Sequence, residues 1–116
     1  MISTKRSSAR VELLKTLARQ EQYFINHKRY AASFDLLGYA SSPYAISSAG
    51  EVVPIDSPDR IYLVSITDVS PMEAPSEFTL HAIPQLGQVK DASCGILRIS
   101  STGVKSASAG SIASCW

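Results

Sequence analysis

The stretch from Cys94 to Trp116 reads CGILRISSTGVKSASAGSIASCW, and it holds both cysteines and the only tryptophan of the chain. Chain ends fray unless something ties them down, so Cys115 and Trp116 in the last two positions signal an end that is fastened. Between the cysteines Ser, Ala and Gly predominate, and such a segment buries too little apolar surface to offset the entropy of ordering it. A Cys94–Cys115 bridge would close a loop of about 22 residues and contribute ~3 kcal/mol in the chain-entropy model. It would also imply an oxidising compartment. Two buried free thiols are the alternative this pattern leaves open. Two cysteines do not make a four-ligand zinc site, and His27 and His81 stand at no helical metal spacing to either.

Working back from Cys94, the chain reads as strands. RIYLVSIT (60–67) is rich in β-branched residues, and DVSPMEAPS (68–76) is a proline-broken loop. EFTLHAIP (77–84) sets Phe78, Leu80 and Ala82 on one face against Thr79, His81 and Ile83 on the other. QLGQVKD (85–91) turns the chain, CGILRIS is the third strand, and GVKSAS (103–108) a weak fourth. The sheet is expected over residues 61–100, with 94–115 as its disulfide-closed flap.

Before the strands lie residues 31–60, a long connection with two Gly, three Pro and six Ser. YAIS and EVVPI can form a short extended pair there around Ala49-Gly50. A connection this long is often functional. Residues 7–30, SSARVELLKTLARQEQYFINHKRY, read as a helix. Val11, Leu14, Leu17, Ala18, Phe24 and Ile25 recur at helical spacings, with packing expected through Leu14, Leu17 and Phe24. Ser7 or Ser8 serves as N-cap, and His27, Lys28 and Arg29 in the last turn suit the helix dipole. The expected fold is α+β: one long N-terminal helix on a three- to four-stranded antiparallel sheet with a C-terminal disulfide-closed flap.

At 116 residues and net charge +1, the composition fits one domain spanning 1–116 and points to neither a disordered tail nor a nucleic-acid binder. No apolar run is long enough to span a bilayer, and no secretory h-region follows Met1. The charge is nevertheless uneven. Residues 1–30 carry seven Lys/Arg and two Glu, whereas the remainder carries four against eight acids. Two solvated faces of opposite sign explain this, and so does complementarity between neighbouring copies in an assembly.

Catalytic chemistry has no constellation here. No serine sits in a G-x-S-x-G elbow, no His-Asp arrangement is local to Cys94, and no glycine-rich phosphate loop is present. Asp56, Asp59, Asp68 and Asp91 lack EF-hand spacing. His27 and His81 read as ordinary surface or half-buried residues, and Lys5, Arg6 and Arg10 as a solvated helix start, with contact to phosphate as the alternative. No catalytic residue, metal ligand or cofactor is expected.

Two segments carry a resemblance. RVELLKTLARQEQYFINHKRYAASFDLLG is similar to the type IV pilin helix that ends in a Gln-Glu-x-Tyr-[Tyr/Phe] stretch, then Asn, Tyr and a Leu-Gly turn. FTLHAIPQLGQVKDASCGILRISSTG with the final CW resembles the pilin sheet, and the PilE-like minor pilins are the nearest group. The resemblance covers about residues 5–116. It implies a structural, non-enzymatic subunit of a type IV pilus that supports filament initiation, twitching motility, adhesion or DNA uptake. Its partners would be major and minor pilins and the inner-membrane assembly machinery. It would reside in the inner membrane and periplasm, then in the cell-surface pilus. Residues 1–4 then read as the start of a soluble, monomeric headpiece whose hydrophobic membrane-anchoring half-helix is missing. A surface-exposed pilin that binds DNA or another ligand is the alternative. A type II secretion pseudopilin is disfavoured, since the major pseudopilins usually have a calcium-bound loop in place of the flap.

Overall fold

The computed structural model describes residues 2–39, 41–71, 73–90 and 93–116, with residues 2–5 described by their backbone alone. The chain forms α1 (Ile2–His27), a 3-10 turn (Phe34–Leu37), β1 (Tyr44–Ser47), β2 (Val52–Val53) and β3 (Arg60–Ser70). Then come β4 (Glu77–Pro84), a second 3-10 turn (Leu86–Lys90), β5 (Leu97–Ser100), β6 (Lys105–Ala107) and the single turn α2 (Ile112–Cys115). The strands make one antiparallel sheet in the order β2-β1-β3-β4-β5-β6, and α1 lies across one face of it.

The α+β architecture is as expected, but the sheet has six strands rather than three or four. The extended pair foreseen inside 31–60 joins the main sheet, because β1 pairs with β3 through Tyr44↔Val64, Ala45↔Leu63 and Ile46↔Tyr62. Tyr44, Ala45 and Ile46 are all fully buried. A short strand covered on both faces loses the alternation by which strands are recognised.

Register builds the core. On the helix side one row runs Tyr44–Val64–Ala82–Leu97–Ala107 across five strands, and Ile66–Leu80–Ile99 runs beside it. The opposite face carries Ser65–His81–Arg98–Ser106 and Thr67–Thr79–Ser100, so the alternation read in EFTLHAIP divides core from polar surface as expected.

The helix differs from expectation in bounds and in face. α1 begins at Ile2, which places Ser7 and Ser8 inside it rather than at its cap, and it ends at His27 rather than Tyr30. Lys28 follows with φ 62°, a left-handed turn that breaks the hydrogen-bond ladder. Ala9, Leu13, Thr16 and Gln20 form the fully buried line toward the sheet. Val11 (60% exposed), Leu14 (45%) and Ile25 (62%) point away from it, as does exposed Ala18, while Leu17 and Phe24 are half-buried at the margin. The helix has two apolar arcs, and the one richer in large residues faces outward.

The inward arc carries polar groups, each with a partner. Buried Glu12 accepts from the Tyr44 hydroxyl at 2.7 Å and from that of Tyr39 at 3.4 Å. Thr16 bonds both tyrosines at 2.7 and 3.0 Å, and the two rings stack at 4.1 Å. Burial, the largest cause, pushes the Tyr44 hydroxyl far above the usual tyrosine range, and its place beside Glu12 adds to this. Gln20 bonds the Ala31 peptide from both ends of its amide. Satisfied in this way, the polar groups fix which loop packs on which turn of α1.

Candidate functional site

Three surfaces bear on function: the fastened C-terminal end, the outward arc of α1, and a groove beside the end of α1.

At the first, Cys94 (1% exposed) and Cys115 (0%) are disulfide-bonded. Gly110 lies against them at φ 70°, where an added Cβ would meet the Ser93 carbonyl oxygen and come within 3.0 Å of the Cys115 sulfur. Glycine is therefore required there on both conformational and steric grounds. Ser111 and Ser114 form a reciprocal capping box that starts α2. The Trp116 indole N–H donates to the Ser106 carbonyl of edge strand β6 at 2.9 Å, and Lys105 lies 5.6 Å from its ring centroid. Arg10 on α1 reaches across to donate to the Cys115 carbonyl at 3.3 Å. The end of the chain is thus tied to the sheet, to the helix and to itself.

The basic start of α1 is not a solvated cluster. Arg6 is buried at 8% exposure, Arg10 is engaged with Ser7 and Cys115, and the Lys5 side chain lies outside the described residues.

The outward arc places Val11, Leu14, Ala18 and Ile25 on one exposed line, within about a sixth of the helix circumference at 100° per residue. Among the described residues nothing covers it. Among the described residues no helix is long and apolar enough to cross a membrane.

The third surface is a shallow groove of about 310 Å³ between the last turns of α1 and the first 3-10 turn, lined by Arg19, Gln22, Tyr23, Asn26, His27 and Leu36. The His27 ring stacks on Tyr23 with centroids 4.0 Å apart, and its Nδ1–H donates to the Tyr23 carbonyl at 3.0 Å. The Arg19 guanidinium sits 4.8 Å from the Tyr39 ring centroid. Sequence reading gave these residues no role beyond a helix end. What draws them together is the turn after α1, which returns Leu36 to the helix.

His81 lies on the polar sheet face, hydrogen-bonded to Thr67 at 2.7 Å. Burial, and then the Arg98 guanidinium, hold its pKa below the ordinary value, against the opposing pull of Asp68. Asp56, Asp59 and Asp68 are exposed and Asp91 lies outside the described residues. Among the described residues no group of His, Cys, Asp and Glu is arranged to hold a metal.

A long helix laid on one face of an antiparallel sheet, with the C-terminal end bonded back by a disulfide, is the build of a type IV pilin. A solved type IV pilin from Shewanella oneidensis shares this fold with a TM-score of 0.63 and 24% identity, covering 100% of this chain and 98% of that one. The model of the family described as type IV minor pilin ComP, DNA uptake sequence receptor, matches residues 1–98, and the chain belongs to that family. The match stops at Arg98, so β6, α2 and Cys115 lie beyond it. No curated protein sequence matches the chain at a comparable level.

Proposed function

We propose that this chain is a minor subunit of a type IV pilus that enters the filament through the outward arc of α1. The carrying observation is the exposed line Val11–Leu14–Ala18–Ile25. An isolated exposed leucine needs no explanation, but an apolar line along one helix marks a surface that is buried in an assembly. Neighbouring pilins are the partners that fit, reached after passage through the inner membrane and periplasm. Assembly is by packing, without chemistry. Leu14→Glu combined with Ile25→Glu should leave the chain folded yet absent from sheared pili. Incorporation at the wild-type level would refute the reading, and pilus counts in a deletion strain would show whether the subunit initiates filaments or only joins them.

A second role is supported by the family match, whose description is a DNA uptake sequence receptor. On this reading the subunit carries DNA contacts on a part of its surface left free by assembly. Phosphate contacts release counterions, so DNA affinity should fall steeply and log-linearly with salt. Binding that ignores salt, or no binding at all, would exclude it.

A further inference from the structure

We infer that the groove between the end of α1 and the first 3-10 turn reads base edges of duplex DNA, with α1 presented to the major groove. This rests on the DNA-receptor reading and assigns it a site.

Reading sequence requires side chains that reach base edges, chiefly Arg to guanine and Asn or Gln to adenine, whereas phosphate contacts position without specifying. Such side chains must be free of internal bonds. The chain has one asparagine and four glutamines. Gln20 is buried on the Ala31 peptide, Gln88 is buried and donates to the Tyr62 hydroxyl, and Gln85 bonds Arg60 and its own backbone neighbours. Gln22 and Asn26 are the two exposed amides, neither bonded within the described residues, and both line this groove.

The arginines sort in the same way. Arg6 is buried, Arg10 holds Cys115, Arg60 holds Ser57 and Gln85, and Arg98 stands beside His81 on the far face of the sheet. Arg19 is exposed, with its guanidinium stacked on Tyr39 and no carboxylate paired with it among the described residues. Stacking pre-orders a planar fork for bidentate contact. Arg19 and Asn26 are seven residues apart, about 10 Å along the helix, which matches roughly three base-pair steps.

The surroundings suit the same ligand. Leu36, 53% exposed, offers an apolar contact of the kind a thymine methyl takes. Lys28 and Arg29 are exposed immediately beyond the helix and can meet flanking phosphates. Asp35 is the one acid on the neighbouring 3-10 turn, and it is bonded to Ser33. Arg19 and Asn26 lie about a quarter of the circumference from the outward apolar line, whereas Gln22, four residues after Ala18 and three before Ile25, borders it, so the groove adjoins the assembly surface along that edge.

The test uses the chain as it stands. Duplexes selected by the wild type from a randomised pool are compared with scrambled ones by fluorescence anisotropy across a salt series. Gln22→Ala and Asn26→Ala should each reduce discrimination by about 5- to 150-fold, leaving scrambled-duplex binding and thermal melting unchanged. Arg19→Lys should reduce discrimination while keeping the non-specific affinity. Lys28→Ala and Arg29→Ala should weaken both duplexes alike and lower the salt slope by about one each. A triple variant at Arg19, Gln22 and Asn26 that discriminates as well as the wild type would overturn the assignment and leave the receptor reading intact. Loss of discrimination in Arg98→Ala alone would move the DNA to the opposite sheet face and overturn it as well. A wild type that binds no duplex would remove the receptor reading and this inference together.

Discussion

The side-chain amide of Gln20 occupies both hydrogen-bonding positions of the Ala31 residue, donating to its carbonyl and accepting from its N–H at 2.8 Å each. Gln20 is 0% exposed and Ala31 1%. The pair holds the chain leaving α1 against the middle of the helix it has just left. Phe34, Tyr39 and Tyr44 follow from that anchor into the core, and Leu36 into the groove.

Gln20→Ala leaves a buried peptide without partners on either side, at a cost of about 1–3 kcal/mol for each stranded group. We expect a loss of roughly 2–6 kcal/mol in urea unfolding with native secondary structure retained. Gln20→Met, which keeps the volume, should be nearly as damaging. If it is neutral, packing and not the bond pair anchors Ala31.

Much of this fold was legible because sequence period and burial coincide. In β4 the alternation of Phe78, Leu80 and Ala82 with polar neighbours is the alternation of core with surface. The fastened end was legible from two cysteines and a tryptophan around a segment too polar to hold itself. The face of α1 was not. Period 3.6 finds an apolar arc but cannot tell whether the chain's own sheet or a neighbouring molecule covers it. Here the sheet takes the arc with Thr16 and Gln20, whose hydrogen-bond partners are remote in sequence. The groove was invisible for the same reason, since Asn26 and Leu36 meet only through the Gln20–Ala31 anchor.

Adjacent leucines separate the two arcs. Leu13 is fully buried, so Leu13→Ala should cost about 2–5 kcal/mol. Leu14 is 45% exposed, and Leu14→Ala should stay within about 0.5 kcal/mol in the isolated chain. Denaturant midpoints for the two variants decide it, and equal losses would mean that the outward arc is covered in solution.

The depressed pKa of His81 makes stability depend on pH. Burial and Arg98 disfavour its charged form in the folded state, with Asp68 opposing, so the unfolded chain binds that proton more readily. Its contribution is complete above the ordinary value of 6.5 and is lost as pH falls below it, until the folded pKa is passed. His81→Gln should flatten the stability profile between about pH 7 and 5. NMR titration of the two histidines provides the check, and a His81 midpoint above 6.5 would reverse the sign.

The last prediction concerns Trp116, whose order depends on the cysteine before it. The indole is half-buried against the core and donates to Ser106, while Cys115 is held by Cys94 and, through its carbonyl, by Arg10. With the bridge intact, docking the ring costs little further chain entropy, because residue 115 is already placed. Reduction frees a segment rich in Ser, Ala and Gly, and the stabilisation of ~3 kcal/mol expected for a loop of this length is lost. In the oxidised protein Trp116 should emit at shorter wavelength than free tryptophan and resist acrylamide, and both properties should vanish on reduction or in Cys94→Ser. Arg10→Ala, which removes the part-buried hydrogen bonds to the Cys115 carbonyl and to Ser7, should shift stability by about 1–3 kcal/mol and leave the emission in place. Solvent-like emission from the oxidised chain would mean that the disulfide alone fastens the end. Two alkylatable thiols in the native protein would remove the fastening itself.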